Sequence, residues 1–277
     1  MEMIRSGKHN FFCVLFLIFV VFMLFGCGKK EPDAITPLED IPRSVIRVGL
    51  EPYAPFDYIN ESGEHVGIDV DLAREAFHRI GYEPQFVNIH WEDRDELLSE
   101  GKIDCIWCCY SMRGRQTAYH WAGPYLVSHM VVAVNPSSEI QHVSDLKGKL
   151  VAVRSSTKAE RLMSQEEGRR LDIEGLYTFN DRELMYTSLY KGYVDAVVSH
   201  EEAIVQYMKD NQMDFRLLPE ALETTGIGVA FSRTDTRALV GDLHMTLQAM
   251  RKDGTTERIL RKYVDDPTPF LKEVQDE

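Results

Sequence analysis

The sequence predicts an α/β protein with two lobes, each built on a mostly parallel sheet flanked by helices. Short β-rich segments alternate with amphipathic helical segments, a pattern typical of parallel sheets with right-handed crossovers. The alternation occurs as two series, one beginning near Val45 and the other near Leu150. The length of 277 residues, 44% of them hydrophobic, suits one large domain or two modest ones. Two series of this kind favour two lobes facing a common cleft, because open α/β sheets bind ligands at the carboxyl ends of their strands.

The first series contains three predicted strands and two predicted helices. The β-rich run 45–50 precedes a turn-rich stretch through residues 61–63, which suits a hairpin. Asp69 is predicted to cap a helix whose apolar residues share one face, and Gly81 to end it. The remaining elements are a strand over 85–89, a helix over 93–100 and a strand over 103–107.

The second series repeats this alternation over the rest of the chain. Strands are predicted over 150–153, 176–179, 194–198 and 227–231. Helices are predicted over 157–168, 182–191, 201–211, 235–251 and 255–263. Residues 265–277 are predicted to form a short acidic tail.

The charge and cysteine content exclude two classes of protein. Lys and Arg number 31 against 44 Asp and Glu, a net charge of −13 with no basic block, whereas binding to a nucleic-acid backbone needs a basic face. Five cysteines in 277 residues are too few for a disulfide scaffold. No nucleic-acid partner is therefore predicted. No cofactor is predicted either.

The amino terminus has the features of a secretory signal. Arg5 and Lys8 precede fifteen apolar residues from Phe11 to Phe25, a run of about 22 Å as a helix and shorter than a ~30 Å hydrocarbon core. Cys27 follows a small residue, as in the lipobox of bacterial lipoproteins, which predicts removal of residues 1–26 and lipidation of Cys27. An uncleaved anchor is the alternative. Both place the protein outside the cytoplasm, and the proline-containing residues 27–44 would form a flexible tether.

Seven segments match, in order and spacing, the landmarks of a known family. They are VIRVGLEPYAPFDY (45–58), GEHVGIDVDLAREAF (63–77), GKIDCIW (101–107), WAGPYL (121–126), VSDLKGKLVAV (143–153), GYVDAVV (192–198) and RKDGTTERILRKY (251–263). Over residues 45–264 the chain resembles the family 3 extracytoplasmic solute-binding proteins, the polar amino-acid receptors of ABC importers.

The resemblance implies the type II periplasmic-binding-protein-like fold, with two lobes joined by two hinge strands. Lobe 1 would comprise residues 45–129 and 226–277, and lobe 2 residues 130–225. The crossings between the lobes are expected near 131–135 and 225–229. The ligand would be an amino acid enclosed when the lobes close.

An amino-acid zwitterion needs a donor for its carboxylate, and Arg115 is the first candidate. Arginine is always charged and can bind a carboxylate through two parallel hydrogen bonds. Arg115 follows Asp104 by eleven residues and precedes Pro124 by nine, near where the resemblance places the carboxylate-binding arginine. The intervening loop is one residue shorter than usual, which leaves Arg113 as a rival.

The resemblance implies two backbone segments around the ligand. Cys108, Cys109 and Ser111 lie in the loop after the third strand, where main-chain groups would meet the ligand. Cys105, Cys108 and Cys109 also permit a zinc or disulfide interpretation, but a structural zinc needs four ligands and no second pair follows. Small buried residues beside the cleft are therefore the preferred interpretation, and no metal is predicted.

The second segment, formed by Ser156, Thr157 and Lys158, opens a helix and would complete the carboxylate clamp. Ser155 and Lys158 also match S-x-x-K, the nucleophile motif of penicillin-recognising enzymes. The companion motifs S-D-N and K-T-G are absent from the sequence, so this interpretation is rejected.

Tyr53, Phe56 and Trp91 are candidates for the aromatic wall, with Tyr53 favoured. The resemblance places an aspartate for the ligand ammonium five residues after the Asp of the DAVV motif, and His200 occupies that position. Three outcomes stay open. Glu201 substitutes, or His200 accepts a hydrogen bond as neutral imidazole, or the ligand is not a standard α-amino acid.

Three functions from different classes are compatible with this pattern. The preferred one is a lipid-anchored, monomeric receptor that delivers an amino acid to the membrane permease of an ABC importer, without catalysis. The second is an enzyme on the same fold, similar to the periplasmic cyclohexadienyl dehydratases, with His200, Glu201 or Glu51 as general acid. The third is a ligand-sensing lobe, which is disfavoured because no signalling module follows Tyr263.

Overall fold

The computed structural model describes residues 44–164 and 171–272, in which there are eleven strands and seven α-helices. The predicted signal segment, Cys27 and nearly all of the tether lie outside the described residues. The first part contains β1 (Ser44–Leu50), β2 (Tyr58–Ile59), β3 (His65–Val66), α1 (Ile68–Arg79), β4 (Tyr82–Asn88), α2 (Arg94–Ser99) and β5 (Cys105–Ile106).

The rest of the chain continues the alternation. Its elements are β6 (His120–Val134), β7 (Leu150–Arg154), α3 (Lys158–Ser164), β8 (Gly175–Phe179), α4 (Arg182–Tyr190), β9 (Ala196–His200), α5 (Glu201–Asn211), β10 (Arg216–Leu217), β11 (Glu223–Phe231), α6 (Leu239–Lys252) and α7 (Thr255–Leu260). Most predicted elements exist within a few residues of their expected bounds.

One continuous sheet runs in the order β4-β1-β5-β11-β6-β9-β7-β8, with β10 paired to β6. The strands are parallel at each end, in β4-β1-β5 and in β9-β7-β8. The central strands β11 and β6 are antiparallel to each other and to β5 and β9. The two central strands therefore join two α/β halves, and the predicted two-lobed fold class is confirmed.

The buried residues divide in the same way. One core cluster draws on residues 46–126 and 227–270, with Ala203 added. Two further clusters cover the opposite faces of the β9-β7-β8 end. Val151 and Val153 lie in one of them and Ala152 in the other, because successive strand residues point to opposite faces. Each end of the sheet therefore has its own core, and the bounds of the two lobes stay a prediction.

The 15-residue strand β6 is not predicted from the sequence pattern, and the resemblance to the family indicates only a crossing between the lobes near residues 131–135. Gly123 and Pro124 interrupt the apolar run, and both residue types are disfavoured inside strands. The strand continues because β11 pairs along most of it, with a register shift between Ile227 and Val229. A Cβ on Gly123 would lie 3.1 Å from the Cα of Gly228, so glycine permits the close approach.

The prediction that Asp69 caps the first helix is wrong. Helix α1 begins at Ile68, its N-cap is Gly67, and no side chain caps it. Gly67 has φ of 135°, and a Cβ there would lie 2.3 Å from the carbonyl oxygen of Phe56, so the chain requires glycine before the helix. Asp69 is instead fully buried and points toward the loop after β5.

Candidate ligand-binding site

A cavity lies where the carboxyl ends of the parallel strands from both halves meet. Its empty volume is about 510 Å³, including the solvent space at its mouth. Segments that follow β1, β4, β5, β7 and β8, together with the end of β9, supply most of its walls. The lining residues are Tyr53, Trp91, Cys108, Cys109, Tyr110, Ser111, Arg115, Met130, Arg154, Thr157, Lys158, Ala159, Arg182, Val198, Ser199 and His200.

Nine of the eleven predicted binding residues line this cavity: Tyr53, Trp91, Cys108, Cys109, Ser111, Arg115, Thr157, Lys158 and His200. Ser156 lies beside it, where its carbonyl accepts a hydrogen bond of 3.0 Å from the Trp91 indole. Glu201 lines a different groove with Pro55 and Phe270. The structure therefore does not bring Glu201 to the cavity.

Two of the other residues considered from the sequence lie away from the cavity. Phe56 is fully buried behind Tyr53, with ring centroids 5.7 Å apart, and packs in the core. Arg113 is about half exposed and lies 3.7 Å from Glu223. Arg115, and not Arg113, is the arginine of this loop that lines the cavity.

Arg115 is a partly buried cation without a carboxylate partner among the described residues. Its Nη1 donates to the carbonyl of Ser111 at 3.1 Å, and its Cζ lies 4.7 Å from the centre of the Tyr110 ring. Burial lowers the pKa of this guanidinium. An uncompensated cation in a cavity is costly, and a ligand carboxylate would compensate it.

The loop after β5 is held by a buried carboxylate. The backbone N–H of Cys109 donates to Asp69 Oδ2 at 2.7 Å, and the Tyr125 hydroxyl donates to Asp69 Oδ1 at 2.8 Å. Burial raises the pKa of Asp69 to about 7, against the lowering effect of these hydrogen bonds. The next part of the loop is fixed by Ser111, whose hydroxyl lies 2.9 Å from that of Thr225.

The three cysteines of this region are free, buried thiols. Burial raises the pKa of Cys105, Cys108 and Cys109, which disfavours the reactive thiolate. Cys108 Sγ donates to the carbonyl of Glu51 at 3.2 Å. The part of the chain that the structure describes contains no cluster of three or more His, Cys, Asp or Glu suited to a metal.

The turn after β7 presents Thr157 and Lys158 to the cavity. The Thr157 hydroxyl donates to the carbonyl of Arg154 at 2.6 Å. Lys158 Nζ lies 2.9 Å from Glu223, and burial nevertheless lowers the pKa of this lysine. This turn, which the sequence analysis expects to complete the carboxylate clamp, lines the same cavity as Arg115.

Sequence reasoning missed two arginines, Arg154 and Arg182, which bind one carboxylate from the opposite half. Arg154 Nη2 and Arg182 Nη2 each lie 2.9 Å from an oxygen of Glu51. The Arg182 guanidinium also lies 4.1 Å from the centre of the Tyr53 ring. The sequence signal for Arg154 was its position as a charged residue at the end of the apolar run LVAVR.

His200 is buried at the carboxyl end of β9, with 8% of its surface exposed. Burial, with smaller contributions from the charges of Arg182, Arg115 and His129, lowers its pKa to about 4. The ring is therefore neutral at pH 7. Its Nδ1 lies 2.7 Å from the hydroxyl of Ser128 on β6.

The sequence matches the bacterial extracellular solute-binding proteins, family 3, over residues 46–266. The chain belongs to this family. A curated relative of this solute-binding protein is the histidine-binding periplasmic protein of Escherichia coli (strain K12). It is 32% identical, and the match covers 81% of this chain and 89% of the relative.

Solved structures share the fold of this solute-binding protein. An ancestral arginine-binding protein bound to arginine is 26% identical with a TM-score of 0.71, covering 80% of this chain and 98% of that one. An ancestral amino-acid-binding protein described as a precursor of cyclohexadienyl dehydratase is 23% identical, with a TM-score of 0.69 and coverage of 79% and 95%. At 23% identity, the similarity to this second structure shows a shared fold and nothing further.

The relatives reported above are binding proteins, and the curated one is periplasmic. None of the helices in the described ranges is long and apolar enough to cross a membrane.

Proposed function

We propose that this solute-binding protein is the extracytoplasmic receptor of an ABC importer, binds an amino acid in the cavity between its halves and delivers it to the membrane permease. The family, the fold and the named ligands of the relatives support an amino-acid ligand. Differential binding to the closed form would drive closure, and no chemical step is required.

The observation that carries this proposal is Arg115. It is the cavity arginine that no described carboxylate neutralises, whereas Arg154, Arg182 and Lys158 each have an acidic partner. One uncompensated guanidinium beside the backbone of Ser111 is suited to one ligand carboxylate.

The ligand ammonium would be bound by neutral His200. None of the described residues that line the cavity is an aspartate or glutamate, and Glu201 lies in another groove. A neutral imidazole nitrogen can accept a hydrogen bond from an ammonium group. This arrangement favours the second of the three outcomes that the sequence leaves open.

The cavity is poorly equipped for acid catalysis, which favours binding over the dehydratase alternative. Of the candidate general acids, His200 has a pKa of about 4 and is neutral near pH 7. Glu51 is engaged by two arginines, and Glu201 is outside the cavity. A general acid must be protonated at its working pH and reach the substrate.

Membrane attachment is part of this proposal. Lipidation of Cys27 and a tether over residues 27–44 would hold a monomeric receptor close to its permease on the outer face of the cell membrane. The sequence features of the first 27 residues support this part.

The test is a thermal-shift screen of the wild type against the twenty common L-amino acids and prephenate, with product analysis for turnover. A ligand at 100 times its Kd should stabilise the protein by about 2.7 kcal/mol. Arg115→Ala should weaken binding of that ligand at least about thirtyfold by calorimetry, because truncating one member of a buried charge pair costs about 2–5 kcal/mol.

Arg113→Ala is the matched control, since this arginine is exposed and lies outside the cavity. Its affinity should equal that of the wild type. Equal affinity in Arg115→Ala would remove Arg115 from the site, and conversion of prephenate would establish an enzyme.

A further inference from the structure

A chain of hydrogen bonds leads from His200 away from the cavity. His200 Nδ1 lies 2.7 Å from Ser128 Oγ, and this hydroxyl donates to Glu202 Oε2 at 2.9 Å. Ser128 is fully buried on β6, two residues before Met130, which pairs with His200 across the β6–β9 ladder. Glu202 is partly buried in the first turn of α5, which begins directly after His200. Adjacent strands and a helix start thus bring the three groups together.

The direction of these bonds determines which nitrogen of His200 carries the proton. A serine hydroxyl has one hydrogen, and here it points to the Glu202 carboxylate. Ser128 Oγ therefore accepts from His200, which places the proton of the neutral ring on Nδ1. Nε2 keeps its lone pair, and it is the ring nitrogen left for a ligand in the cavity that His200 lines.

We propose that Ser128 and Glu202 are positioning residues that hold His200 in the Nδ1–H tautomer, so that Nε2 accepts a hydrogen bond from the ligand ammonium. This inference rests on the proposed function. Glu202 supplies the negative charge that the described cavity lining lacks, and the Ser128 hydroxyl links this carboxylate to the imidazole of His200.

Protonation of Glu202 would reverse the direction in which these hydrogen bonds are donated. Burial raises the pKa of Glu202 to about 7, opposed by its backbone amide and by Ser128. A protonated Glu202 donates to Ser128, whose hydroxyl then donates to Nδ1, and the ring proton moves to Nε2. Nε2–H cannot accept from an ammonium group. Affinity is therefore full above about pH 7 and falls as the pH decreases through 7.

Other titratable or charged groups surround the hydrogen-bonded groups His200, Ser128 and Glu202, and they define the control variants. Those near Glu202 are Glu201 and Lys209 on α5, Cys109 in the loop after β5, and Tyr263, Asp265 and Asp266 after α7. Those near His200 are Tyr53, Arg115, His129 and Arg182. Asp69 also has a pKa of about 7 and holds the nearby Cys109 backbone.

The first experiment needs no ligand. The full chain in detergent micelles, labelled with ¹⁵N-histidine, is titrated from pH 8 to pH 6, and the His200 signals are those missing in His200→Gln. The wild type should show Nδ1–H at pH 8 and convert toward Nε2–H with a midpoint near pH 7. Glu202→Gln and Ser128→Ala should lose this midpoint. Glu201→Gln, His129→Gln and Asp69→Asn should keep it.

The second experiment measures affinity for the amino acid that stabilises the wild type in the screen. Its Kd should rise about tenfold from pH 8 to pH 6, the effect of one hydrogen bond to a charged group. Ser128→Ala should bind about tenfold more weakly at pH 8, and Glu202→Gln should show no dependence on pH.

Two results would overturn the inference: Nε2–H as the wild-type tautomer at pH 8, or wild-type affinity at pH 8 in Ser128→Ala. A different result would contradict the proposed function instead: no amino acid stabilises the wild type. If the Nδ1–H tautomer and its midpoint are nevertheless present, the hydrogen bonds among His200, Ser128 and Glu202 are supported.

Discussion

Cys109 adopts a left-handed backbone conformation in the binding loop, with φ of 43°. This conformation costs a residue with a Cβ about 1–2 kcal/mol, and the surrounding structure must compensate. The bond from its N–H to Asp69 does so, and Tyr125 holds the other carboxylate oxygen. Asp69 therefore shapes the cavity without lining it.

The raised pKa of Asp69 predicts that stability depends on pH. The pKa is about 7 in the folded protein against an ordinary value of 3.8, so the folded state binds more protons between these values. Stability should therefore fall as the pH rises from about 4 to 7, by up to about 4 kcal/mol for this carboxyl. Asp69→Asn should reduce this slope in urea unfolding at pH 5 and pH 8, and the raised pKa of Glu202 should account for part of the slope that remains.

Asp253 is the matched control for this prediction. Its pKa is lowered to about 2 by hydrogen bonds from Arg79 and Thr255, so its stabilisation is lost only below pH 4. Asp253→Asn should leave the slope between pH 5 and pH 8 unchanged. An equal slope in the wild type and in Asp69→Asn would show that Asp69 ionises normally.

At the scale of secondary-structure elements, β1 and the loop after it are held to the opposite half by Glu51. This carboxylate contacts Arg154 at the end of β7 and Arg182 at the start of α4, each at 2.9 Å. Glu51 and Arg154 are largely buried, with 13% and 8% of their side chains exposed. Removing the negative charge of Glu51 would leave the guanidinium groups of Arg154 and Arg182 with too little opposite charge nearby.

Glu51→Gln is expected to destabilise the ligand-free protein by about 3–5 kcal/mol, the cost of removing one member of a buried ion pair. The measurement is urea unfolding of both proteins at pH 7. Glu92→Gln is the control, because Glu92 pairs with the same Arg154 at 2.9 Å but is 42% exposed. It should cost less than about 1 kcal/mol. Equal losses in the two variants would contradict a special role for Glu51.

For the molecule as a whole, direct hydrogen-bond contacts join the two halves beside the cavity. The Trp91 indole donates to the carbonyl of Ser156, and the Tyr53 hydroxyl lies 3.1 Å from that of Ser199. A ligand shifts an equilibrium between open and closed forms only by its differential affinity for them. Arg115 and His200 are the groups through which this ligand would favour the closed form.

The location of the whole protein is tested at Cys27. The mature wild type is expected to enter the detergent phase of a detergent–water partition, because acyl chains on Cys27 add about 0.8 kcal/mol per buried CH₂. Cys27→Ala should stay in the aqueous phase or keep its uncleaved leader, which mass spectrometry distinguishes. A wild type that stays in the aqueous phase would refute the lipid anchor.

Most of the cavity could be predicted because the positions that the resemblance to the family indicates lie after strand ends that are recognisable locally. Tyr53, Trp91, the loop with Cys108 and Cys109, and Thr157 each come directly after a β-rich run. Carboxyl ends of parallel strands meet at one edge of a sheet, so local patterns indicate a common site. The same reasoning could not separate Glu201 from His200, since neighbouring residues at a helix start point in different directions.

The sequence by itself determined the α/β class and the two series, because periodicity and turn residues are local properties. The choice of Arg115 came from the resemblance to the family. Only the tertiary structure decided how charges are paired and which way His200 donates. Arg154 and Glu51 are 103 residues apart in sequence, and Ser128 and His200 are 72 apart. Packing alone brings such groups within hydrogen-bond distance, and burial then determines their protonation.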